Sequence, residues 1–230
     1  MKAEVALDGG RIPRRIGIQF MTTGNNQFFD TLASSYDKPR TVDRANAVAE
    51  EIRRQLPIRS DMTALDYGAG TGLMAFALKP FVKSIIAVDY SQGMIEALQQ
   101  KIDEFSVEGV TPVLGDINTG QLDGMRFDLV YSSMTMHHIP NVAEVLSKFY
   151  DLIEPGGFIA IADLDAEDGS FHGDHTEVHH HGFDREEMVR LLRQVGFIDV
   201  RSSTAHTMTK EIENGETRDF PVFLVVGRKG

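Results

Sequence analysis

The chain has 230 residues, with 34 acidic against 23 basic side chains, a formal charge of −11 and 42% hydrophobic residues. A carboxylate surplus of this size, with no clustered Lys/Arg run, argues against a nucleic-acid-binding face. There is no cysteine, which excludes disulfides, thiolate metal sites, iron–sulfur clusters and cysteine nucleophiles; no apolar run approaches the ~20 residues that a bilayer span needs.

Residues 1–20, MKAEVALDGGRIPRRIGIQF, lack the apolar centre of a signal peptide. They read as a loosely ordered extension, with Met21 an alternative start. The lack of disulfide chemistry fits a cytoplasmic protein. Residues 21–230 read as one domain, because no composition shift, linker or repeat divides them.

Two segments of helical spacing come first, NQFFDTLASSYDKPR and VDRANAVAEEIRRQL. The second carries its stripe on Val42, Ala45, Val48, Ala49, Ile52 and Leu56, and Pro57 closes it. The core, 61–230, then alternates strands and helices. TALDYG is a short apolar strand running into a glycine turn, and GLMAFALKPF is the helix leaving it. SIIAVDYS is a second strand. Ser91 caps a helix whose face is Met94, Ala97, Leu98, Ile102 and Phe105.

TPVLGD, FDLVYSS and GGFIAIADL make a third, fourth and fifth strand. Between the last two, Asn141 with Glu144 forms a capping box. Val142, Val145, Leu146, Phe149 and Ile153 form the stripe, and Pro155 and Gly156 end the helix. FDREEMVRLLRQVGF repeats that logic, capped by Asp184 and Glu187 and ended by Gly196. FIDVRSSTAHTM and RDFPVFLVVGRK, joined through ENGE, form a terminal hairpin. Alternating β and α units with near-continuous apolar strands predict an α/β fold. It is a Rossmann-like, doubly wound, mostly parallel seven-stranded sheet with helices on both faces and an antiparallel C-terminal strand pair.

The stretch LDYGAGTG, residues 65–72, places three glycines between the first strand and the first helix of the core. In such a sheet ligands bind there, beyond the carboxyl ends of the strands. The nicotinamide fingerprint G-x-G-x-x-G matches at Gly68 and Gly70 and fails at Leu73; the P-loop fails because no Lys follows. Asp89 ends the second strand, where a carboxylate can accept both hydroxyls of a ribose. Asp116 follows the third, where it can accept from an adenine amino group, with Ile117 against the ring.

LDYGAGTG, AVDYSQGMI, LGDI, FDLVYSSMTMHHIP and LIEPGGFIAIAD, in this order, resemble the successive motifs of class I S-adenosylmethionine-dependent methyltransferases. The closest likeness is to the small-molecule group that includes the quinone-biosynthesis enzymes. FFDTLASSYD is similar to that group's N-terminal helix, and the likeness covers residues 27–200. It implies S-adenosylmethionine as cofactor and a small-molecule acceptor, in a monomer or homodimer, with residues 27–60 lying over the cofactor site.

Position by position, the resemblance implies that Asp66, Gly68, Ala69 and Gly70 surround the methionine part. Asp89 then holds the ribose, with Tyr90 or Met94 beside the adenine, and Asp116 and Ile117 at its edge. The backbone of Tyr131, Ser132 and Ser133 accepts from the amino group, and Tyr36 closes over the ligand. Strand-end aspartates also serve as caps and turn residues, and Tyr36 and Tyr131 also fit as core aromatics.

His137 and His138, after the fourth strand, match a histidine pair of that family at the rim of the acceptor pocket. The run FHGDHTEVHHHGF adds His172, His175, His179, His180 and His181. His181 joins His137 and His138 as a candidate pocket or base residue. With Asp163, Asp165 and Asp174 nearby, the run also invites a metal reading. It lacks the i, i+4 pairing of helical histidine sites, so the expectation is a polar loop without metal. The acceptor atom, whether oxygen, nitrogen, carbon or sulfur, stays open. Rival readings are a nicotinamide oxidoreductase or an aminopropyl transferase on a similar fold, and a catalytically silent subunit that works through a partner.

Overall fold

The computed structural model describes residues 29–31, 33–172, 178–212 and 215–230. The expected extension 1–20 lies outside them. Seven strands, β1 (Thr63–Tyr67), β2 (Ser84–Asp89), β3 (Val110–Leu114), β4 (Phe127–Ser133), β5 (Ile153–Leu164), β6 (Phe197–Glu211) and β7 (Thr217–Lys229), form one sheet in the order β3-β2-β1-β4-β5-β7-β6. The first five run parallel. The terminal hairpin adds β7 antiparallel to β5, with β6 outside it. The strand order reverses between β1 and β4, which opens a crevice at their carboxyl ends.

Among the described residues, α1 (Pro39–Gln55), α2 (Leu73–Leu78), α3 (Gln92–Phe105), α4 (Val142–Leu152) and α5 (Arg185–Val195) cover the sheet, and residues 29–31 are helical too. Side chains alternate across each strand. Ala64, Leu129 and Tyr131 therefore join Val48 and Ile52 of α1, Ala75 and Leu78 of α2 and Leu98 of α3 in one core. Leu65 and Val130 face the opposite way, to Leu146 and Phe149 of α4 and Met188 and Leu192 of α5. Each fully buried Val, Leu, Ile, Phe or Met among these contributes about 1.5–3 kcal/mol.

The expected caps form. Ser91 Oγ accepts from the Met94 N–H, Asn141 Oδ1 from Glu144 and Asp184 Oδ1 from Glu187. Gly196 closes α5 at φ 118°.

Two boundaries differ from expectation. The segment read as a first helix through Arg40 is helical at residues 29–31 but gives way to a 3-10 turn, Ala33–Ser35, and an uncoiled Tyr36–Lys38. Pro39 then opens α1, because a proline suits the first helical turn, where no N–H is needed. At the far end of the core, Ile153 leaves helix α4 to start β5, pairing with Phe127 before a register shift. Pro155 and Gly156 thus lie inside the strand's first residues.

Candidate active site

The glycine loop is built by backbone conformation. Gly68, Gly70 and Gly72 take φ of 73°, 53° and 84°, which side chains on an L-residue resist. The N–H groups of Gly68 and Ala69 both donate to the Val88 carbonyl of β2, at 2.9 and 3.0 Å. The Gly70 N–H donates to Asp89 Oδ2 at 2.7 Å, and Oδ1 of the same carboxylate accepts from Ser91 N–H at 2.9 Å. Asp89 thus ties the loop to the end of β2 with lone pairs to spare. Its burial raises its pKa, against the pull of the Ser91 and Gly70 N–H groups.

A cleft of about 700 Å³ opens over this loop. Tyr36, Asp66, Gly68, Ala69, Gly70 and Asp89 line it, as do Tyr90, Met94, Ser133 and His138. Asp66 lies on its floor at 1% exposure. Its Oδ2 has no hydrogen-bond partner of ordinary geometry. Burial first, and the nearby Asp89 carboxylate in addition, push its pKa up to about 8, against a lowering contribution from the Tyr131 hydroxyl beside it.

Four expected contact residues are not among those lining the cleft. Asp116 turns to the Tyr67 hydroxyl, which donates to its Oδ2 at 2.7 Å, and to the Asn118 N–H at 2.8 Å. Ile117 packs into the core around Leu65 and Phe149. The Tyr131 side chain is fully buried among the α1 and α2 residues, and Ser132 Oγ donates to the Tyr67 carbonyl at 2.7 Å. These side chains serve the sheet and its turns; of the β4 trio, whose backbone was the expected contact, Ser133 lines the cleft.

Several cleft residues carry no sequence signal of their own. Phe29, Thr41, Arg44, Met134 and Thr135 all line it. Met134 adopts φ 57°, an unusual conformation for a bulky side chain. The strain sits where β4 meets the ligand crevice, as strained residues often do. A second cavity of about 1360 Å³ adjoins the first and shares with it Phe29, Tyr36, Thr41, Arg44, Met134 and His138. Its remaining wall includes His137, His172, His206, Arg40 and Lys210.

His137 belongs to this second cavity and is held from behind. Its Nδ1 lies 2.6 Å from Oδ1 of Asp163, a carboxylate with no exposure at all. Burial alone raises the Asp163 pKa, yet the His137 ring and the N–H groups of Leu164 and His137 bring it below the ordinary carboxylate value. Burial, then the neighbouring His137 and His138 rings, lower the His172 pKa to about 3.

His181 does not join them. Its side chain is 59% exposed, its Nδ1 faces Glu167 at 3.7 Å, and it lines neither cavity. Asp165, once a metal candidate, is taken up by a two-pronged pair with Arg185 at 2.5 and 2.6 Å. His175 and Asp174 lie outside the described residues.

The comparisons with known proteins agree with this architecture. Residues 41–202 match the methyltransferase domain family. An uncharacterized methyltransferase of Schizosaccharomyces pombe is 31% identical over 150 residues, 59% of this chain and 53% of that one. A demethylmenaquinone methyltransferase of Oceanobacillus iheyensis is 24% identical over 135 residues, 56% of this chain and 57% of that one. In fold, the chain is similar to the phosphoethanolamine N-methyltransferase 2 of Haemonchus contortus, solved with S-adenosyl-L-methionine. The TM-score is 0.66 at 18% identity, over 88% of this chain and 60% of that one. The chain spans about half the length of the fission-yeast relative. With the family match covering most of its length and the sheet order, glycine loop and crevice all in place, the chain belongs to the methyltransferase domain family.

Proposed function

We propose that the chain transfers the methyl group of S-adenosylmethionine to a small-molecule acceptor. The observation that carries this is the pair of adjoining cavities, one over the glycine loop and the other lined by histidines, meeting at Met134, Tyr36 and His138.

The residues present fit the cofactor. Its sulfonium and ammonium are cationic, and the unpartnered buried Oδ2 of Asp66, ionised once a cation lies against it, offers them a negative site in low dielectric. A Cβ built at Gly70 meets only Met94 Sδ, at 3.9 Å, so the backbone leaves room for a bulky ligand. The cofactor supplies an electrophilic methyl group. The protein's part is to orient it: Asp89 accepts from ribose hydroxyls, Tyr90 and Met94 flank the adenine, and Ser133 lies near the amino group. Tyr36 and Phe29 cover the crevice and exclude water. Positioning of this kind supplies much of the catalysis of an in-line displacement. Asp116 and Ile117 have no direct contact in this reading.

Three further points belong to the same proposal. The acceptor binds in the second cavity, where among the described lining residues Arg40, Arg44 and Lys210 outnumber the single carboxylate Asp43. His137 and His138 lie at the junction, at the acceptor side. Cytoplasmic placement follows the cysteine-free sequence, and among the described residues no helix is long and apolar enough to cross a membrane.

Calorimetric titration with S-adenosylmethionine and S-adenosylhomocysteine, with NAD as control, tests the cofactor. Saturable binding of the first two is expected, weakened roughly 10- to 100-fold in Asp89→Asn as a charge-assisted hydrogen bond is lost. Binding of NAD alone, or of nothing, overturns the reading. Formation of S-adenosylhomocysteine by the lone protein with an acceptor present tells an enzyme from a silent subunit.

A further inference from the structure

Among the described residues, one cluster of potential metal ligands stands out: His137, His138 and His172, with one ring nitrogen from each within 4.8 Å of the others. The loop spacing gave no hint of this set. His137 and His138 sit on the 3-10 turn Met136–His138 after β4, and His172 comes from the far side of β5.

Three features of the cluster suit a bound metal ion. Three imidazoles on one tetrahedral ion, with bonds of about 2.0–2.1 Å, hold their ring centres about 5 Å apart. Here the separations are 4.2 Å for His137–His138, 4.8 Å for His137–His172 and 6.1 Å for His138–His172. Next, Asp163 Oδ1 lies 2.6 Å from His137 Nδ1; with that nitrogen donating the hydrogen bond, the Nε2 lone pair is left for a ligand. That carboxylate–histidine pairing is how proteins orient a metal-bound imidazole. Finally, His172 carries a buried Nδ1 with no hydrogen-bond partner, a polar atom whose burial is unfavourable until something pairs with it.

The segments carrying His137 and His172 are also anchored. The His137 carbonyl accepts from the His179 and His180 N–H groups at 2.9 and 3.1 Å. Phe171, next to His172, packs edge-on against Phe220, and its N–H donates to Glu167 Oε2 at 3.0 Å.

We propose that His137, His138 and His172 form a three-histidine site for a borderline divalent cation, zinc or a first-row neighbour, opening on the second cavity. Nitrogen ligands of this kind suit zinc, nickel, cobalt or iron rather than magnesium or calcium. All three residues line that cavity, so the remaining coordination position faces it, as in catalytic rather than structural zinc sites. There the ion takes an oxygen or sulfur of the acceptor and favours its deprotonated form, releasing the proton to solvent. This last role rests on the proposed methyl transfer; metal binding itself does not.

The test is metal analysis of the full, tag-free chain, stripped with a chelator and dialysed against zinc, with cobalt absorption spectra as a second readout. One equivalent of zinc is expected, with cobalt bands of tetrahedral intensity. His172→Ala is expected to abolish stoichiometric binding, and Asp163→Asn to weaken it roughly 10- to 100-fold. His181→Ala, outside the cluster, is expected to bind as wild type. Failure to retain zinc, or retention unchanged in both His172→Ala and His138→Ala, overturns the site. Melting curves accompany each variant; should Asp163→Asn not fold, the two cavity-wall histidine variants decide. Calorimetry with S-adenosylmethionine on the metal-free chain reads the methyl-transfer proposal separately.

Discussion

Thr135 occupies the place a side chain at Gly68 would take: a Cβ built there lies 2.2 Å from Thr135 Oγ1 and 2.8 Å from Thr135 Cβ. The contact ties the loop after β1 to the loop after β4 across the reversal in strand order. Gly68→Ala therefore adds overpacking of about 1–3 kcal/mol to about 1–2 kcal/mol for a left-handed L-residue. Thermal denaturation should show a clear loss of stability, partly recovered in the double variant with Thr135→Gly. Gly70→Ala meets no such obstacle. It should lose only the conformational part, and show its main effect in ligand affinity.

Asp66 links ligand binding to proton release. Its pKa in the folded chain is about 8, raised by burial first and by Asp89 in addition. For a carboxyl raised above its unfolded value of about 3.9, the unfolded state binds fewer protons between those two pH values. Stability accordingly falls as pH rises through that window. A cationic ligand against Asp66 reverses the shift, so binding at pH 7 should release a proton. Calorimetry in buffers of different ionisation enthalpy measures this directly, and Asp66→Asn should remove it. The same substitution should stabilise the ligand-free chain near pH 8. A buffer-independent enthalpy in the wild type would count against a cation at this site.

Glu51 has the opposite sign. It sits on α1 and accepts from Arg54 at 2.5 and 2.7 Å, Ser203 of β6 at 2.5 Å and Gln55 at 2.9 Å. The Arg54 hydrogen bond leads the causes that lower its pKa to about 2. A depressed carboxylate stabilises the fold above its unfolded pKa and loses that contribution as pH falls through the folded one. Melting temperature should thus decline between about pH 4.5 and pH 2, and less steeply in Glu51→Gln, whose stability at neutral pH should be lower than wild type. An unchanged acid limb in the variant would remove Glu51 from the account.

How much of this was legible in the residues differs from element to element. Strands such as FDLVYSS announce themselves because both faces are buried, and caps such as Asp184 with Glu187 because the chemistry is local. The position of Asp89 at the end of an apolar strand was legible for the same reason, and the fold puts it in the cleft wall. Asp116 is not among the residues lining the cleft, and its turn chemistry, with Tyr67 and Asn118 as partners, looks the same in sequence as a ligand contact. The histidine trio was hidden because His172 meets His137 only through the packing of β4 and β5 against the loops beyond them, and no spacing rule describes that. Met134 was hidden because a single positive φ has no signature in a residue that rarely adopts one.

Asp30 fastens the N-terminal segment over the crevice. Its Oδ1 accepts from Ser91 Oγ at 2.6 Å and from the Gly93 N–H at 2.9 Å, so a carboxylate sits at the positive end of α3. Ser91 serves two partners at once, because its Oγ also caps α3 through Met94 N–H at 3.1 Å. Phe29, beside Asp30, lines both cavities. Behind it, Asp37 accepts from Thr71 Oγ1 at 2.5 Å and pairs with Lys101 at 2.6 Å. Asp30→Ala removes the first of these ties and leaves the helix cap in place, costing about 0.3–1 kcal/mol for the lost helix-end charge. The expected result is a small drop in melting temperature with a several-fold loss of cofactor affinity, because the cover over the crevice loosens. Ser91→Ala loses the cap as well, about 1 kcal/mol more. Limited proteolysis should cut both variants near residue 30 faster than wild type, with added S-adenosylmethionine slowing the cut. Equal cleavage of wild type and Asp30→Ala would mean that the segment is held by Asp37 alone.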